Sequence, residues 1–95
     1  PFAGAEEWLV NLLHADHNVH VQRYALLSLA HIRVERAVAL AQGFLQAHHA
    51  DEYMIIASMD IVAAYDQALL RPYYATLRQH SSEYVRQRVP ESQSK

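Results

Sequence analysis

The chain has no cysteine, two glycines, three prolines and a single lysine among 95 residues. Without cysteine there are no disulfides and no thiolate chemistry, and the redox compartment is not indicated. So few glycines and prolines in a sequence that is 52% hydrophobic exclude a loop-rich or disordered chain and argue for packed secondary structure with few tight turns. There is also no apolar run near the ~20 residues that a bilayer span requires, and "PFAGAEEWLV" lacks the basic start of a signal peptide. A soluble chain with no membrane association is expected, with the cytoplasm weakly favoured. The formal charge of -2 gives no broad attraction to phosphate, so no nucleic acid is expected as a partner. Seven of the eight basic residues are arginine, the side chain suited to fixed planar contacts.

What the chain does have is Ala, Leu and an internal period. Sliding it by 32 residues places Leu13 on Leu45 and Leu77, Val21 on Tyr53 and Val85, and Ala25 on Ala57 and Val89. Leu27 falls on Met59, Leu29 on Ile61 and Ala30 on Val62. Polar turns coincide as well: "HADHN" (14–18), "QAHHA" (46–50) and "RQHSS" (78–82). The reading of neighbouring helix pairs stacked in tandem makes a sharp demand, that Val21, Tyr53 and Val85 share like surroundings and that no sheet appears.

Within a unit the apolar spacing is helical. Val21, Tyr24, Ala25, Leu27, Leu29 and Ile32 cover one helix face, and Val34, Ala37, Val38, Leu40, Ala41, Phe44 and Leu45 cover the next, with a break near Ile32-Arg33-Val34. "YMIIASMDIVAAY" is apolar almost all round apart from Ser58 and Asp60, as a helix enclosed by neighbours should be. Asn18, Asp51 and Ser82 are placed to cap the helices that follow them. The opening helix is expected at Ala3 to His14. A break or kink at Gln67 to Arg71 with a restart near Pro72 accommodates the proline at a first helical turn. Residues 1–89 are therefore expected to form one all-α domain of five to six helices, and 90–95 a frayed tail. The start at Pro1 without methionine suggests a piece of a longer protein.

The stretch "ADHNVHVQRYALLSLAHI", with "SSEYVRQRV" later, resembles the first helix of a HEAT repeat; "LAHIRVERAVALAQGFL" has the rhythm of a tetratricopeptide turn, the rival family. In the second copy Tyr53-Met54 departs from the Val-Arg element. The resemblance implies antiparallel helix pairs stacked as a short α-solenoid, working as a protein-interaction or scaffolding module rather than as an enzyme. Another protein or peptide is the implied partner, and unpaired end helices suggest self-association. An accessory ligand-binding or regulatory domain of an enzyme, using an Arg/Tyr/His-lined edge, is the alternative.

Candidate sites follow from residue chemistry. Tyr73, Tyr74, Arg78, Tyr84, Arg86 and Arg88 form a Tyr/Arg group of the kind that dominates binding hot spots, although Arg86 could instead pair with an acid of the adjacent repeat and the rings could be buried. His14, His17 and His20 carry enough nitrogen for zinc, but a three-residue step across a helix end does not ensure convergence on one point. Solvated connector histidines are the preferred reading, and no metal or cofactor is expected. His48, His49 and His80 occupy the corresponding connectors, which suggests a pH-sensitive edge. Asp60 should face solvent or an arginine, and Asp66 should end one helix and start a turn. No Gly-rich phosphate loop, nucleophile elbow or paired-carboxylate arrangement is present.

Overall fold

A computed structural model describes residues 4–47 and 51–90. These residues are all-helical, with no strand among them. The elements are α1 (Ala5–Ala15), α2 (Val19–Ile32), α3 (Val34–Gln46), α4 (Glu52–Tyr65), α5 (Gln67–Leu70), a 3-10 turn (Arg71–Tyr73), α6 (Tyr74–Leu77) and α7 (Glu83–Arg88).

Local chemistry sets the starts. The Asn18 side chain accepts from the N–H groups of His20 (2.9 Å) and Val21 (3.4 Å), and Asp51 accepts from Tyr53 (2.8 Å) and Met54 (3.2 Å). Ser82 Oγ accepts from Val85 N–H at 3.4 Å. Each such cap satisfies a backbone donor that the first helical turn leaves without a partner, a contribution of about 1 kcal/mol. All three expected caps are present. The opening helix lies slightly later than expected, at Ala5–Ala15, because Gly4 precedes it at φ 90°, a left-handed conformation that glycine adopts without cost.

Two corners are each made by one non-helical residue: Arg33 (φ -146°, ψ 78°) between α2 and α3, and the extended Asp66 (φ -164°, ψ 108°) between α4 and α5. Asp66 ends α4 and also caps α5 by accepting from Ala68 N–H at 3.0 Å. The expected break at Gln67 to Arg71 is therefore corrected: the helix resumes at Gln67. Pro72 sits inside the 3-10 turn, where the proline's missing N–H falls at a tightened stretch of backbone.

Packing runs between α1 and α2, α2 and α3, and α3 and α4, with lateral contacts from α2 to α4 and from α4 to α7. The molecule is elongated, 47 × 25 × 16 Å. One continuous core joins Leu9 and Leu13 of α1, Leu26 and Leu29 of α2, Val38 and Leu45 of α3, and Met54, Ile55, Met59 and Val62 of α4 with Leu70, Leu77 and Val85. Burial of each large side chain is worth ~1.5–3 kcal/mol, and α4, with contacts to α2, α3, α5 and α7, supplies the largest share, as its nearly uniform apolarity predicts.

The fixed 32-residue register fails in the middle unit. Val85 is fully buried and Val21 half-buried, but Tyr53 is 46% exposed. Leu27 and Met59 differ likewise, the first exposed and the second buried. Counted from the caps instead, Val21 corresponds to Met54 and Val85, Ala25 to Ser58, Leu26 to Met59 and Leu29 to Val62, and apart from the half-buried Val21 all of these are buried. Leu13, Leu45 and Leu77 keep the 32-residue spacing and are all buried. One extra residue between Leu45 and Asp51 therefore advances α4 by one position, turning Tyr53 outward and Met54 inward.

Candidate functional site

Counting from the caps brings a different set of residues into line. Two positions after Asn18, Asp51 and Ser82 stand His20, Tyr53 and Tyr84, an aromatic ring at the same distance from the cap on α2, α4 and α7. The His20 and Tyr53 rings lie 5.3 Å apart, tilted at 52°, and the Arg23 guanidinium stands 6.0 Å from the Tyr53 ring centre. Tyr53 and Tyr84 are 46% and 66% exposed, a large apolar area to leave in water.

Both tyrosines line an open groove of about 740 Å³ between α4 and α7. Its walls include Ile56, Met59 and Ala63 of α4, Leu70 of α5 and Gln87 and Arg88 of α7, with Glu52 and Asp60 as its carboxylates. A smaller groove of about 410 Å³ lies on the α2 side of α4, lined by Leu27, Ala30, Val34, Asp60, Ile61, Ala64 and Tyr65. At 3.6 residues per turn Tyr53, Asp60 and Ala64 fall within about 40° of one another around the α4 axis. They form a ridge with a groove on either side.

The Tyr/Arg group expected from the sequence divides. Tyr84 and Arg88 line the larger groove, and Arg88 pairs with Asp60 of α4, as expected for that carboxylate. Among the described residues Arg86 has no interhelical ion pair; it donates to the His80 carbonyl in its own connector at 2.6 Å. Tyr73 and Tyr74 are half-buried and pack against the core, and Tyr74 Oη accepts from Gln67 at 2.7 Å. Arg78 lies 5.7 Å from the Tyr74 ring centre and donates to the Pro90 carbonyl at 3.0 Å, which ties the start of the expected tail to the body. Tyr73, Tyr74 and Arg78 thus do not line the groove that holds Tyr84 and Arg88.

His14, His17 and His20 do not converge: among the described residues no group of three or more His, Asp or Glu side chains could hold a metal ion. Asp16 is occupied locally, its carboxylate accepting from Asn18 N–H at 2.8 Å and its carbonyl from Gln22 at 2.7 Å. His48 and His49 lie outside the described residues, while His80 Nδ1 accepts from Ser82 N–H at 2.9 Å. No described helix is long and apolar enough to cross a membrane.

Two polar links hold the groove walls in place. Ser82 Oγ donates to Glu52 Oε1 at 2.6 Å, joining the start of α7 to the start of α4, and the Arg88–Asp60 pair joins their later turns. On the far side of the molecule, Arg36 of α3 binds Glu6 at 2.5 Å and Glu7 at 2.8 Å, and Arg33 lies 3.5 Å from Glu6. The hydrogen bond from Arg36, with the nearby Arg33 charge, holds the Glu6 carboxyl below its ordinary value against the opposing effect of burial.

Sequence reasoning missed Tyr53, Ile56, Met59 and Leu70 as parts of one surface. The signal that finds them is the position of the caps, because counting from Asn18, Asp51 and Ser82 aligns the three rings while a constant slide separates them. No family model matches the sequence, and neither the curated proteins nor the solved structures contain a match.

Proposed function

We propose that the chain is a short HEAT-like α-solenoid whose function is to bind another protein through the α4 ridge and its flanking grooves, without catalysis. In this reading α2, α4 and α7 form one layer and α1, α3 and α5–α6 the other. The lateral α2–α4 and α4–α7 contacts support it, as does the recurrence of a cap, a long helix and a single-residue corner at Arg33 and Asp66. A stack of this kind creates an extended surface as a by-product of sheltering its core.

The observation that carries the binding reading is the pair Tyr53 and Tyr84, exposed at equivalent positions on neighbouring helices over an apolar-floored groove. Tyrosine combines large contact area with little rotamer entropy to lose, which is why it anchors interfaces. A groove open to solvent suits a polypeptide segment better than an enclosed small molecule. The alternative, an accessory site for a small anionic ligand, draws on Tyr53, Tyr84 and Arg88 lining one groove, but the Arg88 charge is already matched by Asp60.

The test is selection from a random peptide library on the immobilised protein, followed by affinity measurement on Tyr53→Ser and Tyr84→Ser. Selected peptides should lose affinity on both variants and keep it on Tyr74→Phe, which lies outside the groove. Absence of any selected peptide, or peptides indifferent to both substitutions, would refute the reading.

A further inference from the structure

Building on that reading, we propose that Glu52, Tyr53 and Tyr84 receive a lysine or arginine side chain of the partner, whose apolar neighbour enters the groove floored by Ile56, Met59 and Leu70. The charges of the groove select this occupant. Among the described residues that line it, Glu52 and Asp60 are the carboxylates and Arg88 the cation, and Arg88 is bonded to Asp60. Glu52 is left with a single neutral donor, the Ser82 hydroxyl at 2.6 Å; among the described residues no basic side chain pairs with it.

The rings point to the same chemistry. The Tyr53 ring has Arg23 and His20 beside it on the α2 side, and its other side lines the groove towards α7. Tyr84, the most exposed large hydrophobic residue described, borders the same groove from α7. A carboxylate lining the same groove as two such rings offers a cation a charge-assisted hydrogen bond beside the negative faces of the π systems. A partner carboxylate or phosphate at this position would meet Glu52 directly and be repelled. The Ser82–Glu52 bond fixes one carboxylate oxygen and leaves the other to accept.

The experiment uses the selected peptides, each remade with its basic residues replaced one at a time by norleucine, and titrated into wild type, Glu52→Gln and Tyr84→Ser. Glu52→Gln keeps an oxygen to accept from Ser82, so helical content and thermal midpoint report whether the fold is retained. The expected result is enrichment of Lys or Arg next to an apolar residue. One norleucine replacement, and Glu52→Gln, should each weaken binding by about fivefold to tenfold, and the two together by no more than either alone. Peptides without a basic residue that bind through Tyr84 but are indifferent to Glu52→Gln would overturn this proposal and leave the binding function standing. If no peptide depends on Tyr53 or Tyr84, both fall.

Discussion

Ser58 offers the most direct test of the packing. It lies in the middle of α4, fully buried, and its hydroxyl has no hydrogen-bond partner among the described residues. An unmatched buried hydroxyl costs ~1–3 kcal/mol, and serine is a weaker helix former than alanine by up to about 0.5 kcal/mol. Against this, removing the oxygen opens a void far smaller than a methylene, worth a few tenths of a kcal/mol at ~24 cal/mol per Å³. Ser58→Ala should therefore stabilise the protein by about 1–2 kcal/mol. At ~4–8 °C per kcal/mol for a chain of this size, the thermal midpoint should rise by at least about 4 °C. Urea unfolding followed by far-UV circular dichroism measures the change, with an unchanged slope confirming that the same surface is exposed. The corrected register supplies a reciprocal test, because Ala25 in α2 is equally buried at the same distance from its cap. Ala25→Ser should cost at least about 1 kcal/mol. If Ser58→Ala instead lost about 0.5 kcal/mol or more, the hydroxyl would have to be bonded, for instance back to the carbonyl one turn earlier, and the reasoning would be wrong.

Gly43 is exposed within α3 and a methyl group there would meet nothing within 4 Å, so Gly43→Ala should add about 1 kcal/mol in the same assay; a loss would mean the position is not helical. Asp51→Ala removes the acceptor for Tyr53 and Met54 N–H and should cost about 1 kcal/mol, whereas Asp51→Ser should recover most of it. Glu6 has a lowered folded-state pKa, so its contribution is fully present above the unfolded value near 4.5 and is lost as pH falls through the folded value. Wild type should therefore exceed Glu6→Gln in stability near neutrality and converge with it in acid; a difference that persists at the acid end would remove the Arg36 ion pair as its cause.

The helix starts, the corner at Arg33 and the enclosed character of α4 were legible in the sequence because each is decided within a few residues, by a side-chain oxygen over free N–H groups or by the spacing of apolar positions. The restart after Asp66 was half legible: its role in ending α4 was clear, but whether its carboxylate also caps a helix starting at Gln67 depends on the corner conformation that packing imposes. The arginines were the least legible. Arg86 and Arg88 are two residues apart on one helix, yet one turns back to its own connector and the other crosses to α4.

By itself, then, the sequence determined that the chain is helical and roughly where its helices begin, since this rests on local bonding and periodic burial. Only the tertiary structure decided which way Tyr53 faces, that Tyr84 and Arg88 share a groove with it, and that Tyr73, Tyr74 and Arg78 do not. One added connector residue rotates the side chains of α4 by about 100° from the constant 32-residue register, and which rotation is adopted depends on how α4 lies between α2, α3 and α7.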